Sequence, residues 1–366
     1  MQRRKFLKLA ALSGLTIGST VSTGSHARSG KHRGPLLVVV HARGGWDPRL
    51  LCDPTTDPAQ NRVYTEIASA GAIAYAPLAM TRRTTGLHGD SAHALMGSTA
   101  FFNKYASRLH CINGIDVGTV DHDQATSSLL TGHPGEGALS IAELLALDSG
   151  LPLLTSRPSA MSGLAMSGMA PSARLPNADP HATYERSCDP DAWLDGSDPA
   201  LAVPTDGAAP IEVAGGELRD LQRFMRQAHV ALAAFDANLA VAVHLELGGF
   251  DTHGSHDRQQ LTQLGKLFRG VDSLMTGADR RGLTDRLTVM VGSEFGRGPY
   301  YDGPQRFAGK DHWPVSSAML MGHGIVGNRV SGATDAQQQL RPYDTGIRTP
   351  ADVHRELGVA CGVVLG

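Results

Sequence analysis

Leu36-Leu37-Val38-Val39-Val40 runs directly into His41-Ala42-Arg43-Gly44-Gly45-Trp46-Asp47. An apolar run without polar alternation, rich in β-branched residues, reads as a strand buried on both faces, and the glycine pair behind it as a tight loop. Such a strand belongs in the middle of a parallel sheet. Working outward, helical spacing from His93 to Ser107 leads to a second short strand at Leu109–Asn113, then to helix signals over Asp123–Leu130 and Leu139–Leu147. Beyond Gly216 come a helix near Glu217–Asn238, a strand at Leu239–Leu247, a helix near Arg258–Met275, a strand at Leu287–Val291 and another near Ser316–Met321. Thr349-Pro350-Ala351-Asp352 opens a last helix with an N-cap, a proline at the first helical position and an acid at the third. Strands alternating with helices predict an α/β fold, a three-layer α/β/α domain with a mostly parallel central sheet. Between residues 155 and 216 the pattern dissolves into Pro, Ser, Ala and Met, which we read as a loop-rich insertion near the mouth of a site.

Composition narrows the function classes. Of 366 residues, 41% are hydrophobic and 19% charged, a balance that suits a folded domain rather than a disordered chain. The 43 glycines and 20 prolines point to many loops within one elaborated domain. With 33 basic against 35 acidic side chains, and no Lys/Arg run past residue 8, nothing resembles a footprint for a phosphate backbone, so no nucleic-acid partner is expected. Gln2-Arg3-Arg4-Lys5-Phe6-Leu7-Lys8, the apolar stretch Leu9 to Val21 and the small-x-small site Ser25-His26-Ala27 look like a twin-arginine export signal. Residues 1–27 are read as that signal and 28–366 as the mature domain, exported to the periplasm or beyond. No stretch of the mature chain is long and apolar enough to span a bilayer. Cys52, Cys111, Cys188 and Cys361 show no metal or redox spacing, and either disulfides or buried free thiols fit them. Oligomeric state is left open.

Ligands of open α/β sheets gather beyond the carboxyl ends of the strands. The polar residues falling there are Asp47; Asp116 to Asp123; Asp251, His253, His256 and Asp257; Ser293 and Glu294; Asp311 and His312. Carboxylates and imidazoles converging on one edge are the non-thiolate ligands of a divalent cation, with zinc, manganese, magnesium or calcium as candidates. Several of the acids also suit helix caps. The richest stretch is Gly248-Gly249-Phe250-Asp251-Thr252-His253-Gly254-Ser255-His256-Asp257, a post-strand loop that reads as chelating. Arg297, just past a strand end, has a planar fork able to clamp an oxyanion, and a surface salt bridge is its other reading.

Taken together, the paired arginines, Gly44-Gly45-Trp46-Asp47, Gly248-Gly249-Phe250-Asp251-Thr252-His253, Ser293-Glu294-Phe295-Gly296-Arg297 and Asp311-His312-Trp313-Pro314 resemble the exported family known as domain of unknown function 1501. That family is related to the alkaline phosphatase, sulfatase and phosphodiesterase superfamily, so the resemblance implies an alkaline phosphatase-like fold and hydrolysis of phosphate or sulfate esters. Leu129-Leu130-Thr131-Gly132-His133-Pro134 is similar to the stretch following the superfamily's nucleophile, and by that spacing His122 stands where a hydroxyl or thiol is expected. Ser293-Glu294-Phe295-Gly296 stands where Ser-Asp-His-Gly is common, so Phe295 replaces a metal-binding histidine. The resemblance implies one half-site from Asp251, His253 or His256, and His312, and a second from Asp47, Glu294 and His122. His122 itself has three readings: ligand, helix-start residue or nucleophile. Two functions follow: a metal-dependent hydrolase of an anionic small-molecule or glycan ester, or a non-catalytic extracytoplasmic binding protein on a degenerate sulfatase-like fold.

Overall fold

A computed structural model describes residues 16–17, 31–88, 91–135, 138–151, 153–155, 216–341 and 349–363. The export signal, apart from residues 16–17, and the insertion, apart from its two ends, therefore lie outside the described residues.

An eight-stranded sheet runs in the order β1-β6-β7-β2-β8-β11-β5-β12. Its strands are β1 (Thr16–Ile17), β2 (Leu36–Ala42), β5 (Leu109–Asp116), β6 (Leu153–Thr155), β7 (Ala242–Leu247), β8 (Leu287–Gly292), β11 (Val315–Gly322) and β12 (Arg329–Ser331). β2 lies between β7 and β8 and is parallel to both, with all seven residues buried. This is the placement its unbroken apolar run demands. The sheet is mostly parallel. β11 is antiparallel to both β8 and β5, and β1 is antiparallel to β6. Among the described residues, two small antiparallel pairs complete the strands: β3 (Ala68–Ala70) with β4 (Ile73–Tyr75), and β9 (Gly296–Arg297) with β10 (His312–Trp313).

The helices are α1 (Arg82–Thr85), α2 (Ser98–Tyr105), α3 (His122–Thr131), α4 (Ile141–Ser149), α5 (Arg219–Asp236), α6 (His256–Arg280) and α7 (Pro350–Cys361). α2, α5 and α6 pack together on one face of the sheet, and α3, α4 and α7 on the other, which gives three layers. On the α6 side the core is aromatic: Phe101 stacks on Phe268 at 4.7 Å, and Tyr75 on Phe102 at 4.6 Å. Burying one such ring contributes about 1.5–3 kcal/mol relative to leaving it in water. Thr349 caps α7 through a reciprocal box with Asp352, behind Pro350, as the sequence implies.

Local chemistry also explains where α3 begins. The Asp121 carboxylate accepts from the backbone N–H groups of Asp123 and Gln124. That makes Asp121 the N-cap and His122 the first helical residue, its ring projecting from the helix start toward the strand ends.

Candidate metal centre

The ends of β2, β7 and β8 are stitched together before any functional group is placed. Glu294 accepts from Gly44 N–H at 2.8 Å, and Ser293 Oγ accepts from the N–H groups of Gly45 and Trp46 while donating to Ala42 O. Gly44 and Gly45 sit at φ of 121° and 85°. A Cβ on Gly44 would run into the Asp251 backbone, and one on Gly45 into the Phe295 ring, so only glycine lets these loops approach.

Within this frame, His122, Asp251 and His312 bring one donor atom each to within 4.8 Å of one another. His122 Nε2 faces Asp251 Oδ2 at 3.5 Å, and His312 Nε2 lies 3.1 Å from Asp251 Oδ1. His253 Nε2 sits 3.0 Å from both Asp251 Oδ1 and His312 Nε2. Phe295, which cannot ligate, is fully buried and packs under the rings of His122 and His312 with centroids 4.8 and 4.3 Å away.

The outer contacts engage the second nitrogen of two of these rings. His122 Nδ1 lies 2.9 Å from Glu294 Oε1, and His312 Nδ1 lies 3.2 Å from the Val120 carbonyl. Both partners accept, so each Nδ1 donates to them; a neutral His122 then turns its Nε2 lone pair toward Asp251, whereas His312 Nε2 stands at hydrogen-bond distance from Asp251 Oδ1. The hydrogen bond to Glu294 raises the His122 pKa, against the effects of partial burial and of the Arg43 charge. Burial would raise Asp251, but the hydrogen bonds from Arg297 and His312 outweigh it and bring the carboxyl down to about 2. Glu294 is likewise pulled well below the carboxylate range, burial being overcome by His41, 2.9 Å from its Oε2, and by His122. The cluster is therefore an ionised carboxylate faced by the Nε2 atoms of His122, His312 and His253. Two imidazoles and a carboxylate, each imidazole held from behind by an acceptor, fit a divalent cation, because a positive ion can take the place of the proton that each Nε2 would otherwise share with Asp251.

The grouping into two half-sites expected from the sequence is not the one the structure contains. His122 and Glu294 join Asp251 and His312, while Asp47 and His256 stand apart with a partner that the sequence reading omitted. Asp47 Oδ2 accepts from Lys310 Nζ at 2.8 Å and from His256 Nε2 at 2.9 Å, all three groups being buried. The ammonium also donates to Gln60 O at 2.7 Å. Burial alone would raise Asp47, yet Lys310 and His256 hold it far below the ordinary range. Burial keeps His256 neutral despite Asp47, and its Nδ1 accepts from Thr252 Oγ1–H at 2.8 Å. Lys310 thus supplies the positive charge at Asp47, and neither Asp47 nor His256 faces the cluster. Of the two histidines left open in the loop, His253 is the one at the centre.

Arg297 is corrected on similar grounds. Its side chain is fully buried and donates to the carbonyls of Gly44, Gly45 and Lys310 and, at 2.6 Å, to Asp251 Oδ1. It positions Asp251 and has no face toward an incoming anion. The exposed guanidinium at this edge is Arg43, at the end of β2, whose charge reaches His122. Its backbone ties the loop together, N–H to Leu247 O and C=O to Phe250 N–H. Arg43 stands inside the very run that sets the fold, but a single arginine beside a glycine pair carries no signal of its own.

No curated protein matches the sequence of this chain. Among solved structures, it is similar to a putative sulfatase from Bacteroides thetaiotaomicron at 11% identity and TM-score 0.44, covering 91% of this chain and 72% of that one. The TAB5 alkaline phosphatase mutant His 135 Glu with Mg bound in the M3 site is similar at 10% identity and TM-score 0.43, covering 91% and 99%. Ps i-CgsB in complex with k-i-k-neocarrahexaose is similar at 10% identity and TM-score 0.42, covering 91% and 73%. The profile of the family described as "Protein of unknown function (DUF1501)" matches residues 213–364, the region that carries the Asp251, Glu294 and His312 motifs.

Proposed function

We propose that the protein is an exported, metal-dependent hydrolase of phosphate or sulfate esters, with one divalent cation held by His122, Asp251 and His312. The observation that carries this reading is the facing of His122 Nε2 and Asp251 Oδ2 at 3.5 Å while His122 Nδ1 is engaged by Glu294. A donor set with two imidazoles favours zinc or manganese over the harder magnesium and calcium. When bound, such a cation supplies Lewis acidity that polarises an ester oxygen and makes water a better nucleophile near neutral pH.

The remaining steps fall to the chain's own residues. Arg43 pairs with the non-bridging oxygens of the anionic ester. Water attacks phosphorus or sulfur, its oxygen forming the new bond as the bond to the alcohol oxygen breaks. His253, half exposed beside Asp251, accepts the proton that water loses, and the leaving oxygen takes a proton from solvent as it departs. Glu294 and Arg297 keep His122 and Asp251 in place. Export through the twin-arginine route belongs to the same reading and is supported by Arg3-Arg4 ahead of an apolar stretch and Ser25-His26-Ala27.

A second reading, binding of an anionic glycan or small molecule without turnover, is favoured by the imidazole of His122 where a hydroxyl nucleophile is expected and by Phe295. Aryl phosphate and aryl sulfate esters, assayed with and without added zinc or manganese, separate the two. Metal-dependent release that Asp251→Ala abolishes supports the hydrolase, and a panel that binds but is never cleaved supports the second reading.

A further inference from the structure

Away from the centre, the sulfur atoms of Cys52 and Cys111 lie 2.9 Å apart, and both residues are buried. Cys111 belongs to β5, between β11 and β12 in the sheet. Cys52 follows the loop that carries Trp46, Asp47 and Arg49, and its carbonyl accepts from Asn113 Nδ2 at 2.6 Å, so the backbone around Cys52 is pinned to the strand bearing its partner. Covalent S–S bonds are about 2.05 Å long, and closing the remaining gap needs under about 1 Å of relative movement. Of the other two cysteines, Cys361 sits in α7 beside Thr288 and Cys188 lies outside the described residues.

We infer that Cys52 and Cys111 are a covalent modification site, joined as a disulfide when the protein folds in an oxidising medium. The two thiols lose two protons and two electrons, an S–S bond forms between their sulfurs, and a disulfide oxidant such as glutathione disulfide is reduced to two thiols. Burial and the neighbouring Cys111 sulfur raise the Cys52 thiol pKa, so in the finished fold little of it is the reactive thiolate. The bond therefore forms while the chain is still folding. Once made, it fastens the Trp46–Asp53 segment to the strand that leads into His122, and it does so independently of any metal or substrate.

The test uses the full chain, denatured and reduced, then refolded in a glutathione redox buffer, quenched by alkylation and digested without reductant. The expected result is a Cys52–Cys111 linked peptide pair, a loss of about 2 Da against the reduced chain, and a denaturant midpoint that falls on adding reductant. The same link is expected in a Cys188→Ser/Cys361→Ser variant. Folded protein with both Cys52 and Cys111 alkylated, or with either joined to Cys188 or Cys361, would overturn the assignment.

Discussion

His122 turns its Nε2 toward Asp251 Oδ2 across 3.5 Å, with its other nitrogen already bonded to Glu294. Asp251 is held ionised by Arg297 and His312, and a neutral His122 has only a lone pair on the side that faces it. Two acceptors in that relation need a proton or a cation between them. Proton and metal therefore compete for one position, and metal affinity should fall as pH drops through the raised His122 pKa. Isothermal titration of zinc at several pH values checks this: uptake should release protons, and an affinity independent of pH would break the link.

Glu294→Gln keeps the size of the side chain but removes the charge that holds the Nδ1 proton of His122. Residues orienting a metal-binding imidazole typically contribute about 10–100-fold to metal affinity or activity. A loss of that order in zinc affinity is expected, and an unchanged affinity would show that Glu294 has no part in the centre.

Arg43→Gln and Arg297→Lys should fail differently. Loss of an exposed guanidinium that meets the substrate should reduce kcat/KM about 10–100-fold, in line with a charge-assisted hydrogen bond, and leave bound metal unchanged. Arg297→Lys, by contrast, gives up the buried fork that fixes Asp251, so metal content and stability should fall together. Steady-state kinetics paired with elemental analysis reads both. Should Arg43→Gln turn over like the parent, the anion contact lies elsewhere.

Lys310→Met leaves the Asp47 carboxylate buried with no cation beside it, only the His256 ring and the Arg49 backbone N–H. Removing one partner of a buried ion pair costs about 3–5 kcal/mol, and the double variant Asp47→Asn/Lys310→Met should recover much of that loss. Urea unfolding measures both. A single variant costing less than about 1 kcal/mol would show that the ammonium is not what keeps Asp47 charged.

Acid should weaken the fold through His354. Burial, and the nearby His133 charge, lower its pKa to about 4, even though its Nε2 donates to Leu129 O at 2.7 Å. Because the folded value lies below the unfolded one of about 6.5, the unfolded chain takes up a proton first. Stability is therefore complete above about pH 6.5 and is lost progressively down to about pH 4, by about 3 kcal/mol from this group. His354→Gln should flatten that part of the stability profile, and an unaltered slope would assign the loss to other groups.

How far the sequence could be read is clear at particular residues. The run Leu36–Val40 announced a central parallel strand because burial on both faces leaves no polar alternation, and Thr349-Pro350 announced the start of a helix because capping is local chemistry. The same logic cannot give strand direction, so the apolar run Val315–Gly322 reads alike whichever way it points, and it is antiparallel. Ala68–Ala70 and Ile73–Tyr75 are short and alanine-rich, with too little β-branched content to register as a hairpin. At the centre, Asp251, His312 and His122 were legible as residues at strand ends, whereas the fate of His256 was not. Ser255, at φ 49°, and the backbone bonds of Ser255 and His256 to Phe307 and Ala308 turn His256 inward to Asp47. Those contacts, like the reach of Lys310 to Asp47, join residues far apart in the chain.

The most direct test of the central claim is the metal content of the purified folded chain after equilibration with zinc or manganese and removal of excess. One cation bound by His122, Asp251 and His312 requires about one equivalent in the parent, and close to none in Asp251→Ala or His312→Ala, with both variants still folded. Less than about 0.2 equivalents of any divalent metal in the parent, or a full equivalent retained in both variants, would contradict it.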